Sequence, residues 1–600
     1  MRARLFESLF SALGVAVVAL PLVTVGCGGG ATARTAARTP ATRPVTDPSP
    51  PPVDTAAIVT AVAKARGLAP KRPITFAVVD DEEFSATFGA EIAHRRQVRG
   101  ITSLSVSGGS DASFYLAYYD TRLKKVLLRK KTPEWAKLTD ARGLVAHEVE
   151  HAIQDQYFDL DSLLSSPEVD VARAQHALIE GDAEATSAGA VAILDGLPPK
   201  RAIVNGTTIV EGLGIDTYVA GGMVDPRMAK LKPAEREEML FPYRHGAAFV
   251  GALVRTGGFA LVDRAFTHPP TSSAEILHPE AYLAGRVRVE VAKIVDPPGW
   301  TSSGPKGTFG ELALRNVLLS LGFPEDRAHA VASAWRGDSF AALKDAQGHT
   351  AYAWTIVVDD EANATTLAAV FSQRGKTLWR GRVLSWVDGL PDDVARPMLS
   401  SLLGLAPERT PAPVPPFGAI TIPPLPPRLM DRIPHVATLS EGALRAPELG
   451  LDLRVPPGWI QRPASDKQGV VAVVGGASGA VVFSIDGTRQ SPMVLHAMAG
   501  GVISGFKQGG PPVQRTDEMV ATPLGDAFDL HVVFAGGGHL RFVAAPLCAG
   551  ESTLMITAFS RTPSPEFDEE VVRLIGQLDP KRTMASTWCA GIHQERTTDL

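Results

Sequence analysis

His147-Glu148-Val149-Glu150-His151 is the stretch whose residue types and spacing carry chemistry. Two histidines four positions apart stack on one face of a helix, so both imidazoles can turn toward a single metal ion. A glutamate directly after the first histidine stands beside that ion. It can take a proton from a water at an open coordination position. The run from Asp140 to Tyr157 has helical spacing, with Leu144, Val145, Ala152 and Ile153 apolar and Asp140 suited to the N-cap. The competing reading is a solvated polar helix face carrying two incidental histidines.

A metal centre of this kind needs a third protein ligand. A histidine six residues after His151 would supply it in one known pattern, but Tyr157 stands there. The next segment with suitable residues is Ala174 to Glu184. It belongs to a second helix that the Ser166-Pro167-Glu168 signature starts. Val171, Ala174, Leu178 and Ala185 give that helix a face to pack on the first. Glu180, 29 residues beyond His151, is assigned as the third ligand, and Gly181 after it permits close helix approach. Glu184, one turn on, is the carboxylate expected to orient a ligand histidine through its other ring nitrogen. His176 and Asp182 are the alternative ligands. Only three cysteines occur, Cys27, Cys548 and Cys589, too few for an all-cysteine metal site. The expected cofactor is therefore Zn2+ held by His147, His151 and Glu180.

His147, Glu148, His151 and Glu180 together resemble the gluzincin metallopeptidases, which join an HExxH helix to a glutamate on the following helix. Tyr118-Tyr119-Asp120, the segment His151 to Gln156, Phe241-Pro242-Tyr243, the segment Ile276 to Glu280 and the segment Ala334 to Asp338 are similar to an uncharacterised bacterial family of zinc peptidases. The likeness spans about residues 75–380, and its diagnostic part is the HExxH helix with the glutamate. It implies an α+β fold with a zincin-like, mostly helical catalytic domain and a small sheet. It also implies that a peptide substrate adds to the edge strand of that sheet. Ser113–Asp120 and Lys125–Arg129 read as the two strands just before the metal helix. Tyr243 and His245 are the candidate donors to an oxyanion, with Tyr157 behind them. An interior tyrosine with a satisfied hydroxyl is the alternative for Tyr243. Glu275 and His278, in a proline-rich loop, read as structural. A helix from Glu311 to Leu321, a strand from Tyr352 to Val358 and a helix from Glu361 are expected to complete the helical half of the catalytic unit.

The rest of the chain says where this chemistry would operate. Net charge is −5 over 600 residues, with no basic footprint for nucleic acid. Arg2 and Arg4 precede an apolar run from Leu9 to Gly26, followed by Cys27 and three glycines. This resembles a bacterial lipoprotein signal, although Thr24 replaces the preferred leucine. It implies an exported protein of the cell envelope, held to the membrane by a lipid on Cys27. No other stretch reaches the roughly 18 apolar residues of a membrane span. Residues 1–27 then form the signal, 28–54 a disordered tether, 55–404 the metallopeptidase domain and 405–436 a proline-rich linker. Residues 437–600 read as an α+β sandwich with a weak likeness to PsbP domains. Cys548 and Cys589 are expected to pair there in an oxidising compartment. The expected partners are a peptide or protein substrate and the membrane. Two rival readings stand beside a peptidase: an inactive envelope lipoprotein that binds or scaffolds, and a zinc hydrolase acting on another substrate.

Overall fold

The computed structural model describes residues 53–98, 117–130, 141–200, 202–204, 232–285, 288–406, 421–423, 437–462, 469–477, 479–487, 492–505, 512–562 and 564–597. The lipoprotein signal with Cys27, the tether up to residue 52, the predicted strand residues 113–116, Asp140 and nearly all of the linker lie outside them. The fold is α+β. The chain divides into two compact units. Of the described residues, one holds those within 53–132, 144–187 and 232–422, and the other those within 141–143, 188–204 and 423–597.

In the first unit, α1 (Thr55–Arg66) starts on Asp54, which accepts from the Ala57 N–H, and stops at Gly67 with φ of 78°. A three-stranded sheet of β1 (Thr75–Val79), β2 (Ala117–Asp120) and β3 (Lys125–Arg129) follows. Its order is β1-β3-β2, parallel between β1 and β3 and antiparallel between β2 and β3, so β2 is an end strand among the described residues. The helix α2 (Asp81–Val98) covers it, with Phe84 and Phe88 edge-on to Tyr118.

Next comes α3 (Ala141–Phe158), the HExxH helix. Every residue from Val145 to Asp155 is buried, so this stretch has no solvated face. Polar side chains in such a helix must find partners inside the protein. The helices α4 (Leu160–Leu163), α5 (Val169–Leu194) and α6 (Pro233–Thr267) follow. Ser166 accepts from the Glu168 N–H just ahead of α5. The helices α5 and α6 cross where a Cβ on Gly181 would lie 2.1 Å from the Gly246 carbonyl oxygen. Only glycine permits backbones that close. α6 is long and apolar enough to cross a membrane by length and composition. It is broken by non-helical Gly257 and Gly258, and 56% of its apolar window is buried, as in a core helix.

Residues 300–403 depart from the expected helical completion. After α7 (Ser273–Leu277) and α8 (Pro279–Leu283), the chain forms β4 (Trp300–Gly307), α9 (Gly310–Ser320), α10 (Glu325–Ala332), β5 (Trp335–Asp345), β6 (Thr350–Val358), α11 (Glu361–Phe371), β7 (Lys376–Arg380), β8 (Val383–Asp388) and α12 (Asp392–Leu403). The five strands make an antiparallel sheet of order β4-β5-β6-β8-β7. One face packs on α9, α10 and α11, the other on α12. The central strands β5 and β6 are therefore buried on both faces; β6 contains the strand expected at Tyr352–Val358, while β5 lacks the alternation by which a half-exposed strand is recognised.

Asp338 of β5 accepts from the Phe309 and Gly310 backbone N–H groups and from the indole N–H groups of Trp335 and Trp354, at 2.8–3.1 Å. Gly310, at φ of 84°, lies against the carboxylate of Asp170 at the start of α5. Asp170 Oδ2 accepts from the Ser273 N–H at 3.2 Å, while its buried Oδ1 has no hydrogen-bond partner. Burial pushes this carboxyl up to about 7, against the pull of Ser273 and Arg173. The folded state thus holds the proton more tightly than the unfolded chain. Its contribution to stability is complete below about pH 4 and is lost as pH rises through about 7. Urea unfolding at pH 5 and pH 8 is expected to show that loss in the wild type. The Asp170→Asn variant should be less pH-dependent and more stable than wild type at pH 8.

The second unit carries a small sheet of β9 (Thr438–Ser440), β10 (Ala443–Ala446) and β11 (Leu451–Arg454). Its main sheet has order β12-β13-β14-β18-β17-β16-β15. These strands are β12 (Ile460–Arg462), β13 (Val470–Gly475), β14 (Ala480–Asp486), β15 (Pro512–Thr522), β16 (Gly525–Phe534), β17 (His539–Leu547) and β18 (Ser552–Ser560), all antiparallel to their neighbours. The helix α13 (Pro492–Gly505) covers one face, and α14 (Pro565–Ile575) and α16 (Thr587–Thr597) the other, with α15 (Pro580–Met584) between them in sequence. Cys548 and Cys589 are joined by a disulfide. β15 escapes a sequence reading because nearly all of it is exposed, so no hydrophobic pattern marks it.

Candidate functional site

Three of the residues singled out for metal binding converge. His147 Nε2 lies 3.1 Å from His151 Nε2 and 3.1 Å from Glu180 Oε2, and His151 Nε2 lies 3.3 Å from the same oxygen. A tetrahedral ion with bonds of about 2.0–2.1 Å spaces its ligand atoms about 3.3 Å apart. The triangle therefore has the size of one tetrahedron face, and the donors on it are two imidazole nitrogens and one carboxylate oxygen. The helix brings the two rings together edge to face, 4.7 Å apart, as four-residue spacing requires.

The outer atoms of the three are all engaged. His147 Nδ1 meets Glu184 Oε1 at 3.2 Å. His151 Nδ1 meets Gln154 Oε1 at 2.9 Å. Gln154 in turn donates to the Ile179 carbonyl and to Asp182 Oδ2. The second oxygen of Glu180 faces His176 Nε2 at 2.9 Å. His176 and Asp182 are thus neighbours of the cluster: the first steadies Glu180, and the second is taken up by Gln154 and Arg66. Burial opposes charge on His147, but Glu180 and Glu184 outweigh it and hold its pKa well above the ordinary histidine value. Burial would likewise raise Glu180, yet His151, His147 and His176 draw it well below the usual carboxylate range.

Behind Gln154 is a buried ionic knot. Arg66 Nε lies 2.8 Å from Asp182 and 3.5 Å from Glu150, and its Nη2 lies 2.7 Å from Asp263. Its guanidinium stacks over Phe259 at 4.6 Å. Burial works against the charge on Arg66, but the three carboxylates raise its pKa above the usual value. Burial, and next to it Asp182, raises Glu150 well above its own. No motif or spacing singles out Arg66, which lies 116 residues from Asp182. Gln154 stands out in the sequence only as part of the segment His151 to Gln156.

Glu148 faces the end strand β2. Its Oε2 accepts from the Tyr119 N–H at 2.6 Å. The strand is pinned to α3 by Tyr119 and Lys124, which both donate to Asp155 Oδ2, at 2.7 and 2.6 Å. Tyr243 presents its ring to His147 at 6.2 Å between centroids. His245 does not share that side: its Nε2 meets Glu237 Oε1 at 3.1 Å, and Arg315 contacts the same oxygen. Two residues apart on a helix point in different directions, so Tyr243 and His245 cannot serve one oxyanion together. Tyr157 is also elsewhere, donating to the Ala69 carbonyl beneath Lys71. Glu275 caps α7 through the Thr271 and Ser272 N–H groups, and His278 bonds buried Glu311, so both act structurally.

A domain of unknown function, DUF8575, matches residues 301–393. That segment covers the five-stranded sheet with α9, α10 and α11, and none of the residues discussed for metal binding or catalysis falls in it. No curated protein and no solved structure matches the chain.

Proposed function

We propose that this chain is a zinc-dependent metallopeptidase with a zincin-like catalytic centre, exported and lipid-anchored through Cys27. The observation that carries the reading is the triangle of His147 Nε2, His151 Nε2 and Glu180 Oε2, with edges of 3.1–3.3 Å and Glu148 beside it. Two imidazoles and one carboxylate suit zinc, and three protein ligands leave a fourth position open, as hydrolytic centres require. Zinc bound there would polarise the scissile carbonyl and make water nucleophilic at neutral pH. Glu148 takes the proton of the attacking water and passes it to the leaving amine. Tyr119 keeps the Glu148 carboxylate directed through its backbone N–H. Glu184 and Gln154 fix the tautomers and orientations of the two histidines. Tyr243 donates to the oxyanion. Support for export comes from the residues around Cys27 and from the Cys548–Cys589 disulfide, which suits an oxidising compartment.

Metal analysis of the purified full-length protein tests the ligand roles. Glu180→Gln is expected to abolish stoichiometric zinc at this centre, whereas Glu184→Gln should weaken it by about 10–100-fold. Equal zinc affinity in wild type and Glu180→Gln would overturn the assignment. Stoichiometric zinc without cleavage of any peptide in a library would leave a binding or scaffolding lipoprotein, or a hydrolase of another substrate.

A further inference from the structure

We infer that the second unit holds its own divalent-metal site, formed by His531, His539 and Asp568. His531 lies on β16 and His539 on neighbouring β17. The register pairs His531 with Arg541 and Val533 with His539, which makes the two histidines diagonal neighbours on one sheet face. Their rings stack 5.7 Å apart at 30°. Asp568, in the first turn of α14, comes onto the same face, with Oδ1 3.8 Å from His539 Nδ1. Ligand atoms of all three lie within 4.8 Å of one another.

Two features point to an ion rather than to a closed ion-pair network. Asp568 Oδ1 is buried with no hydrogen-bond partner, and the 3.8 Å to His539 is too long for a hydrogen bond. A buried carboxylate oxygen left so is costly, and a cation satisfies it. Second, His531 Nε2 lies 3.4 Å from Asp529, whose two oxygens are gripped by Arg541 at 3.1 and 2.6 Å. Asp529 is therefore the anchored carboxylate that a metal-bound imidazole uses on its other side. Arg541 neutralises Asp529 and leaves the charge of Asp568 for the ion. Two imidazoles with one carboxylate favour zinc, nickel or copper over calcium and magnesium.

The ligand atoms are further apart than the about 3.3 Å of a tetrahedral edge. His539 is the most enclosed, with its side chain 8% exposed, while those of His531 and Asp568 are 31% and 29% exposed, so binding would draw these two toward the ion. Binding would tie the first turn of α14 to the β16–β17 hairpin.

The test is zinc stoichiometry of the full-length protein after chelator treatment and titration with Zn2+. Wild type is expected to take up two equivalents, and His531→Ala and His539→Ala one each. His147→Ala should lose the other equivalent, so the double variant with His531→Ala should retain none. This separates the present inference from the reading of the catalytic centre. His531→Ala, at the more exposed position, serves if His539→Ala does not fold, as judged by circular dichroism. Equal uptake of Zn2+, Ni2+ and Cu2+ by wild type and folded His531→Ala would overturn the site.

Discussion

Glu148→Gln is expected to reduce peptide cleavage by about 10³-fold while zinc content stays at the wild-type level. The two side chains have the same shape. The amide oxygen of glutamine can still accept from the Tyr119 N–H that Glu148 accepts at 2.6 Å, so α3 and β2 should keep their arrangement. What glutamine lacks is a site for the proton of the attacking water. The loss should therefore fall on kcat, with KM little changed, because the missing interaction belongs to the transition state. A fluorogenic peptide assay with parallel metal analysis measures both quantities. Cleavage at the wild-type rate by Glu148→Gln would remove Glu148 from the mechanism and with it the zincin-like reading of this centre.

Arg66→Leu is expected to destabilise the protein by about 3–5 kcal/mol, the cost of breaking a buried ion pair from one side. Leucine fills part of the volume but leaves Asp182, Glu150 and Asp263 without their common cation. Asp182 and Glu150 are fully buried and already shifted upward by burial with Arg66 present. Without it they must take up protons to stay inside. The variant should thus suffer least in acid, and its deficit should grow as pH rises, since its folded state then binds more protons than its unfolded chain. Urea unfolding at pH 5 and pH 8 checks the size and the sign. A loss below about 1 kcal/mol at pH 8 would show that the knot is not held by its arginine. Because Asp182 holds Gln154, which holds His151, the zinc affinity of this variant should fall as well.

What could be read directly depended on the range over which the signal acts. Helical spacing of His147 and His151 is a local property, and it suffices to put two imidazoles on one face. Glu180 and Gly181 could be singled out because they are adjacent in sequence and serve one helix crossing, although nothing named Gly246 as the other party. The strand Lys125–Arg129 and the helices around Glu311 and Glu361 carry their patterns within a few residues. The sheet formed by residues 300–388 was legible only in β6, read as Tyr352–Val358: β5 is covered on both sides and lacks the two-residue alternation, and β4 meets β5 only across two intervening helices.

By itself, then, the sequence determined which side chains have the types and spacing to hold a metal, and the helical phase that pairs the histidines, because both follow from spacing within one element. Tertiary structure decided the rest. It turned Tyr243 toward His147 and His245 toward Glu237, set Glu148 against the Tyr119 N–H, and closed Arg66 over three carboxylates from three different helices. Those outcomes depend on how helices and strands distant in sequence pack, and a buried polar group reveals its partner only once burial has left it no water to bond.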